Sequence, residues 1–600
     1  MTALPASIAA FYENRIDVVE TTGDDIIAAL HTEATRQFWT AVENVKTIRR
    51  KRITAVATSH GKDSTLTLLI ALQAHEKLMA EGVLDSQSPF IVTNIDTGVE
   101  AVMGIMLARY SRHQLEEYCR EKSINLQYRV GTPPLAKQYA ALYFSGLKII
   151  STGRTNADCS EIMKVDTAEH LYRALEADYG TGIVTLLGSR TSESATRAAS
   201  IRRRGHHTLT AEDLLMNDDN GRKVFLPIVD MSDEALWYCL QHAGTNPIRQ
   251  LPDGGSLPSY ADNHRILRLL YRDSTTGEEK TCPESAIKLK GVGTPGGCGG
   301  SSRSGCYLCT RIQKDKSSNK LNELPRFGVF GKNAERVRNW IYVAAQDSRY
   351  RTWHSRAIDP ITNAVAMTPN VLRGEVYSDA LKLLSQLAFD DAMRAERFQI
   401  LLKADRVMED EGYADIANDS ELNEEDRSAL LSLYVEMAQT QIINPMTLET
   451  AIYLSMCHAR DGVTLPPYHA VAVYCAIWAA KETARSEFLS GEHETFWNAL
   501  EAVKARQEAD GTRLPYPDVD PGSAVISEIP DSKMLFPPAE LRVSAAHLDA
   551  IAFELDAQIG CTLYEKANTH KLPLERAMKR LSPAERVRYG DTDPKMQVAL

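Results

Sequence analysis

The chain has 600 residues, enough for several domains, and its hydrophobic fraction of 44% is that of an ordinary globular protein. No apolar run approaches the length of a membrane span and no secretory signal is recognisable, so we expect a cytoplasmic protein with no membrane partner. The formal net charge of −11 argues against tight autonomous DNA binding, because phosphate contacts require clustered Lys and Arg.

The first 45 residues predict a helical lead-in. Its apolar face would be formed by Ile26, Leu30, Phe38 and Trp39. Residues 46–250 then alternate short apolar runs with helical patterns, which predicts an α/β core with a parallel sheet. A cysteine-bearing segment follows at 251–330, and residues 331–600 are mainly helical in pattern. Helices are predicted at 334–346, 374–409, 448–460 and 469–507, and a loop rich in Pro and Asp at 514–538.

A phosphate-binding loop is predicted where the first apolar run meets a helix. Ile53 to Thr58 is short and β-branched like a buried parallel strand, and Lys62 to Ala80 has apolar residues at helical spacing. Between them stands Ser59-His60-Gly61-Lys62-Asp63-Ser64. Unpaired N–H groups at a helix N-terminus attract phosphate, Gly61 permits close approach, and Lys62 adds a positive charge. The hexapeptide alone is also compatible with an ordinary helix cap.

The spacing of this loop excludes the commoner G-x-x-x-x-G-K-[ST] motif, because a single glycine precedes the lysine. The loop resembles the S-x-G-x-D-S loop of the N-type ATP pyrophosphatases, with His60 where that family usually has glycine. The resemblance implies that ATP is split to AMP and pyrophosphate.

Two later strands end in polar residues. Phe90 to Asn94 precedes Asp96, and Ile183 to Leu187 precedes Gly188-Ser189-Arg190. Ligands of open α/β sheets bind at the carboxyl ends of strands. Arg190, Glu193 and Arg197, followed by the Pro227-Ile228-Val229-Asp230…Leu236-Trp237 segment, resemble the pattern of the phosphoadenosine phosphosulfate (PAPS) reductase-like branch of that pyrophosphatase family.

Four of the ten cysteines form a C-x15-C-x7-C-x2-C cluster: Cys282, Cys298, Cys306 and Cys309. Seven glycines between residues 291 and 305 make this segment too flexible to fold without a staple, which a metal supplies. Four thiolates suit a [4Fe–4S] cluster or zinc, and the single close pair favours the cluster. A disulfide framework is disfavoured in a reducing cytoplasm.

The other cysteines are predicted to be packing residues. They are Cys119, Cys159, Cys239, Cys457, Cys475 and Cys561. Arg202-Arg203-Arg204-Gly205-His206-His207 could meet a nucleic-acid backbone, or be a solvated or carboxylate-paired charge run.

The segment Gly305 to Thr310, with Lys314 to Ser317, resembles the G-C-W-x-C-T…DKS segment of the DNA phosphorothioation proteins of the DndC and SspD type. Tyr307 stands where that family has tryptophan, and the resemblance covers roughly residues 46–330. It implies a PAPS reductase-like fold of the adenine nucleotide α-hydrolase type that uses ATP to activate DNA, or sulfur, while sulfur replaces a non-bridging phosphate oxygen. It also implies a [4Fe–4S] cluster, a cysteine desulfurase as sulfur donor, and other phosphorothioation subunits.

Carried over position by position, the resemblance implies four cluster ligands, Cys282, Cys298, Cys306 and Cys309. It implies ATP and Mg²⁺ binding by Ser59, His60, Gly61, Lys62, Asp63, Ser64, Asp96, Arg190 and Arg197. It implies catalytic roles for Lys62, Asp63, Arg190 and Glu193. Sulfate reduction is disfavoured because the E-C-G-x-H motif of PAPS reductases is missing. An RNA-thiolating enzyme and a non-catalytic scaffold stay as alternatives.

Overall fold

A computed structural model of the chain describes residues 23–146, 148–153, 158–216, 222–274, 305–346, 350–358, 365–461, 463, 465–479 and 534–536. Cys282, Cys298 and Cys561 lie outside the described residues, as do the first part of the predicted lead-in and most of the chain after residue 479. Across the described ranges, no helix combines the length and the apolar character that crossing a membrane requires.

The core is a five-stranded parallel sheet with strand order β3-β2-β1-β4-β5. The strands are β1 (Thr54–Ala57), β2 (Pro89–Ile95), β3 (Asn125–Gly131), β4 (Val184–Leu187) and β5 (Lys223–Phe225). β1 is central: Ala57 pairs with Thr93 of β2 on one side and with Leu187 of β4 on the other. The predicted strands beginning at Ile53, Phe90 and Ile183 are thereby confirmed, each within a residue of its expected ends.

Helices connect these strands, as a parallel sheet requires. They are α1 (Gly23–Arg49), α2 (Lys62–Ala80), α3 (Val102–Glu121), α4 (Tyr139–Phe144), α5 (Asp158–Ser160, continued by a π-turn Glu161–Val165), α6 (Asp166–Tyr179), α7 (Ala195–Arg203), α8 (Ala211–Met216), α9 (Asp233–Gln241) and α10 (Arg265–Ser274). A 3₁₀ turn, Leu135–Lys137, precedes α4.

Two of these helices bear directly on the sequence predictions. α2 has the predicted bounds and is buried along most of its length, because it packs on the sheet and on α1. In α1, Phe38 is fully buried and Leu30 and Trp39 are half-buried, which agrees with the expected apolar face; the side chain of Ile26 is not described.

The rest of the described chain is mostly helical, as predicted. It contains α11 (Lys316–Glu323), α12 (Pro325–Gln346), α13 (Gly374–Lys403), a 3₁₀ turn (Val407–Glu409), α14 (Glu411–Asn418), α15 (Glu424–Ala438), α16 (Leu448–Asp461) and α17 (His469–Ala479). Helices begin at Gly374, Leu448 and His469 as predicted, and α12 contains the predicted 334–346 segment. The helix predicted at 374–409 is wrong after Lys403, because Asp405 takes a left-handed φ of 56°, and the helix predicted at 469–507 is described only to Ala479.

A small antiparallel sheet in this region was not predicted. Its strands are β6 (Arg351–Ile358), β7 (Val365–Leu372) and β8 (Met534–Phe536), in the order β6-β7-β8. Pro369 in β7 disguises the strand, because proline cannot donate a ladder hydrogen bond. It is tolerated because the β6–β7 register is irregular beside it, between Thr352 and His354. β8 lies inside the segment Leu514–Pro538 that was predicted to be a loop, so that prediction is wrong for Met534–Phe536.

The described residues fall into two compact units that interleave along the sequence. The first unit is Met1–Asn94, Ser111–Arg129 and Leu175–Ser302, and the second is Ile95–Tyr110, Val130–Ala174 and Arg303–Leu600. In the first unit, Ala55, Ile91, Leu175 and Ile183 form a buried cluster around β1. The predicted phosphate loop and the C-x2-C cysteine pair therefore belong to different units.

Candidate functional site

The predicted phosphate loop joins the central strand β1 to the N-terminus of α2. Gly61 is the N-cap residue, with an extended backbone (φ −75°, ψ 167°) and no side chain to cap the helix. Ser64 holds the loop together, because its Oγ accepts from the Ser59 backbone N–H at 3.2 Å and donates to the Gly61 carbonyl at 3.1 Å. The serines thus bond within the loop instead of capping α2. The positive end of a 19-residue helix faces the loop without a side-chain cap.

His60 occupies the loop position where glycine is usual in the family that the loop resembles. Its φ of 56° lies in the left-handed region, which favours glycine. The fully buried ring stacks on Tyr128 at 17° between planes, and Nε2 lies 2.7 Å from the Tyr128 hydroxyl. Burial, and then the nearby Arg112, lower the pKa of His60 to about 4. His60 is therefore neutral at pH 7, and its contact with Tyr128 offsets backbone strain.

A charge network built around Arg190 lies next to the loop. The Arg190 side chain is fully buried, with Nε 2.5 Å from Asp63 Oδ1 and Nη2 2.7 Å from Asp233 Oδ1. Its Nη1 donates to the Ser192 hydroxyl and to the Met231 carbonyl. Because a buried guanidinium must be both paired and hydrogen-bonded, this full set of partners fixes Arg190 in one orientation.

The charges in the network shift one another's pKa values. Burial lowers the pKa of Arg190, but Asp63 and Asp233 more than offset it, so the net pKa is raised. Burial raises the pKa of Asp233, and Lys62, 2.7 Å away, together with Arg190 reverses this to a net lowering. Lys62 also lies 3.3 Å from Asp63. Two basic and two acidic side chains thus lie together beside the N-terminus of α2.

Gly188, the residue that follows β4, lies against the first turn of α2. A Cβ atom at this position would lie 2.6 Å from the carbonyl oxygen of Asp63 and 2.8 Å from the backbone nitrogen of Ser64. Any side chain would push the first turn of α2 away from the sheet. The glycine of the G-x-R motif therefore permits Asp63 to meet Arg190.

Glu193 and Arg197 form an ion pair across one turn at the start of α7. Ser194 caps this helix, because its Oγ accepts from the Arg197 backbone N–H at 3.2 Å. The Glu193 side chain is largely enclosed, whereas half of the Arg197 side chain is exposed. The Glu193 side chain has Arg197 as its charge partner, and the Glu193 backbone N–H donates to the Arg190 carbonyl at 3.5 Å.

Two residues of the network were not among the predicted site residues. Asp233, which bridges Lys62 and Arg190, was visible only as part of the Pro227-to-Trp237 motif. Tyr271 of α10 is half-buried with its hydroxyl 3.5 Å from the Lys62 backbone nitrogen, and desolvation followed by Asp63 raises its pKa to about 12. No signal in the sequence distinguishes Tyr271 from an ordinary core tyrosine.

Asp96 belongs to the second unit. Its Oδ1 accepts from the Gly98 backbone N–H at 2.8 Å, and its own N–H donates to the Gly131 carbonyl at 2.9 Å. Gly98 has a φ of +76°, which makes this a tight turn after β2. The described role of Asp96 is therefore to shape that turn.

The cysteine pair lies in a short loop, residues 305–310, of the second unit. The Cys309 backbone N–H donates to the Cys306 carbonyl at 2.8 Å, so the C-x2-C segment forms a turn. Tyr307 anchors it: its N–H donates to the Val99 carbonyl at 3.0 Å and its hydroxyl to the Gly98 carbonyl at 2.9 Å. Tyr307 thus anchors the loop at the position where the family that this segment resembles has tryptophan.

Arg338 of α12 binds the same loop from the other side. Its guanidinium donates to three backbone carbonyls, those of Cys309, Ile312 and Gln313. Asp315, the N-cap of α11, accepts from the Gly305 N–H at 2.7 Å. From the sequence, we expect a metal to hold this segment in place. From Gly305 onward, hydrogen bonds within the protein also hold the loop.

The two described thiols fit half of a four-cysteine metal site. Burial raises the pKa of Cys306 to about 12, with the Lys164 charge opposing it. A half-buried thiol pair on a C-x2-C turn is a donor set suited to iron or zinc, since a bound metal cation favours the thiolate. Among the described residues, no group of three or more His, Cys, Asp or Glu could hold a metal ion. A complete site thus needs ligands such as Cys282 and Cys298, outside the described ranges.

The remaining described cysteines divide into three kinds. Cys119, Cys239 and Cys457 are buried, as predicted for packing residues. Cys475 is exposed, so the packing prediction is wrong there, because α17 leaves that side of the helix uncovered in the described structure. Cys159 is half-buried and lies close enough to Cys306 for its charge to affect the pKa of that thiol.

Fold and site together define an α/β protein with a candidate anion-binding loop on a central parallel strand. No family model matches the chain, and no curated protein or solved structure matches it either.

Proposed function

We propose that this chain is an ATP pyrophosphatase that serves as the sulfurtransferase component of DNA phosphorothioation. The observation that carries the first half is the charge network: Lys62, Asp63, Arg190 and Asp233 are assembled beside an uncapped helix N-terminus at the end of the central strand. The second half depends on the resemblance of the loop, of the Arg190 segment and of the Cys306 segment, taken in that order along one chain.

In this proposal the loop N–H groups and Lys62 bind the β- and γ-phosphates of ATP. A non-bridging oxygen of the DNA phosphate attacks the α-phosphorus, the bond to the β-phosphate breaks, and pyrophosphate leaves. Preorganised cations stabilise the charge that develops in such a step. Arg190 holds Asp63 and Asp233 in place, so that Lys62 is presented to the phosphates. A sulfide-level nucleophile then attacks the DNA phosphorus, and AMP departs with the oxygen.

Two cofactors are part of the proposal. Asp233 presents a carboxylate that is half exposed beside Lys62, an oxygen donor of the kind that Mg²⁺ accepts, and Mg²⁺ would neutralise phosphate charge there. A [4Fe–4S] cluster would be held by Cys306 and Cys309 together with Cys282 and Cys298. Because four cysteine ligands would occupy the outer position of every iron, the cluster would supply a scaffold for the substrate site. The nucleotide-binding core of the proposed enzyme is of the adenine nucleotide α-hydrolase type.

The direct test of the ATP reaction is product analysis with α-labelled ATP, scoring AMP and pyrophosphate with and without duplex DNA. Lys62→Ala should reduce AMP formation by about 10²-fold or more, since it removes a cation from the charge developing at phosphate. Lys77→Ala is the matched control, because Lys77 lies at the other end of the same helix and pairs with Glu43. ADP as the product, or equal rates in both variants, would contradict the proposal. Stimulation by tRNA and not by DNA would favour an RNA-thiolating enzyme instead.

A further inference from the structure

A basic surface at the C-terminal end of α7 has no role in the site described above. It consists of Arg202, Arg203, Arg204 and His207, all exposed. The helix end is well defined: Arg204 is the C-cap, Gly205 has a φ of +71°, and the His206 N–H donates to the Ile201 carbonyl at 3.1 Å. Ile201 is buried and fixes the inner face of the helix. The basic surface is therefore presented from a rigid support.

The three guanidinium groups have no ion pair or hydrogen bond in the part of the chain that the structure describes. Exposed arginines elsewhere in the first unit behave differently: Arg36 pairs with Glu33, Arg50 with Glu81 and Arg120 with Glu117. The difference matters in a chain that has 79 acidic and 68 basic residues. Acidic residues are plentiful, yet none of the described ones forms an ion pair with these three arginines.

Helix stability does not require this arrangement. One cation near a helix C-terminus gains about 0.3–1 kcal/mol from the dipole, and three adjacent like charges repel one another. The charge of Arg204 also acts on the neighbouring His206, whose pKa is lowered by partial burial and then by that charge. A cost of this kind is offset when a polyanion binds.

We propose that Arg202, Arg203 and Arg204, with His207, form a docking surface for the phosphodiester backbone of duplex DNA. The inference rests on the proposed function for the identity of the polyanion. Guanidinium groups match phosphate oxygens in a bidentate geometry, and three of them neutralise successive phosphates.

The position of the surface agrees with this role. Both ends of α7 belong to the first unit, and the helix starts five residues after Arg190. Nine residues at about 1.5 Å each separate its ends by about 13 Å, or roughly four base-pair steps of 3.4 Å. DNA held at the basic surface would thus place nearby phosphates within a short distance of the start of α7.

The test measures the salt dependence of binding to a fluorescein-labelled duplex by anisotropy, with the full chain. The triple variant Arg202→Ala, Arg203→Ala, Arg204→Ala is compared with a control that removes the same charge, Arg36→Ala, Arg50→Ala, Arg120→Ala. Loss of three phosphate contacts should reduce the slope of log K against log salt by about 2 to 3. The control should keep the wild-type slope, and far-ultraviolet circular dichroism should show both triples folded.

Equal slopes in the two triples, or a wild-type slope near zero, would overturn the docking surface. Tighter wild-type binding of tRNA than of duplex, with the same loss in the first triple, would overturn its assignment to DNA. Asp63→Ala separates this test from the proposed function, because that variant should lose AMP formation and keep the wild-type salt slope. If wild type forms no AMP but the slopes differ as expected, the proposed function fails and a polyanion surface stands.

Discussion

The phosphate loop and the cysteine loop are held in opposite ways. In the first unit, side-chain charges bind one another: Arg190 is enclosed by Asp63 and Asp233, and Lys62 completes the set. In the second unit, Arg338 binds backbone carbonyls, and within the described contacts the thiols of Cys306 and Cys309 take no part in holding the loop. The first site is thus built from its own functional groups, whereas the second is a scaffold that leaves its functional groups available.

This difference has a consequence for substitutions. A change in the charge network should damage stability and chemistry together, because the same atoms serve both. A change in the support of the cysteine loop should damage metal binding and leave the ATP reaction intact.

The largest expected effect is at Arg190. Arg190→Met leaves Asp63 and Asp233 without their buried partner, which should destabilise the first unit by about 3–5 kcal/mol and reduce AMP formation to background. Urea unfolding and labelled ATP measure the two effects. Arg190→Lys retains the positive charge but lacks the planar guanidinium that bonds both carboxylates. It should be more stable than Arg190→Met but should have little activity. Normal AMP formation by Arg190→Met would contradict a role for Arg190 in the ATP reaction.

Arg338→Met should act only on the second unit. It removes donors from three carbonyls of the cysteine loop and should cost about 2–4 kcal/mol, with a matching loss of bound iron or zinc measured by elemental analysis. AMP formation without DNA should stay within a factor of about three of wild type. Arg336→Met is the control, because Arg336 lies on the same helix and donates to Asn333 one turn earlier. Equal metal loss in both variants would show that the Arg338 contacts do not support the site.

Acid should weaken the first unit through His75. This histidine is buried against Phe90, and neither ring nitrogen has a partner within the described residues. Burial, and then Arg49, lower its pKa to about 4, so the unfolded state takes up a proton first as the pH falls below 6.5. Stability is therefore lost between pH 6.5 and about 4, and little changes above 6.5.

Replacing this histidine tests the sign directly. His75→Leu should remove up to about 3 kcal/mol of that acid sensitivity, since one pKa unit corresponds to about 1.4 kcal/mol. Its gain over wild type should be larger at pH 4.5 than at pH 8 in urea unfolding, while His113→Leu on the exposed face of α3 should show no such trend. A stability gain of His75→Leu over wild type that increases with pH would contradict the lowered pKa of His75.

The smallest effect is expected at His60. His60→Gly relieves the left-handed backbone but loses the Tyr128 contact, and these opposing terms of about 1 kcal/mol should nearly cancel. The KM for ATP should change by no more than about fivefold, with kcat almost unchanged, in a steady-state assay. A fall in kcat of more than a hundredfold would mean that His60 acts on ATP and does not merely shape the loop.

The fold was largely accessible from the sequence, because β1, β2, β4 and α2 have clear apolar patterns and short polar breaks. β7 was not, since Pro369 hides the strand and one of its two partners, β8, lies far away in the chain. Lys62 and Arg190 were recognisable from motifs. Their bridging by Asp233 and the closeness of Tyr271 were not, because contacts between α2, α9 and α10 depend on how the helices pack on the sheet.

A DNA-modifying reaction that uses both the phosphate loop and the cysteine loop is most directly tested by mass spectrometry of nuclease-resistant phosphorothioate dinucleotides in DNA from the source strain. The intact gene should yield sulfur-containing dinucleotides, and both Asp63→Ala and Cys306→Ala at equal expression should abolish them. Their absence with the intact gene, or their persistence in either variant, would contradict a single DNA-modifying reaction that uses both loops.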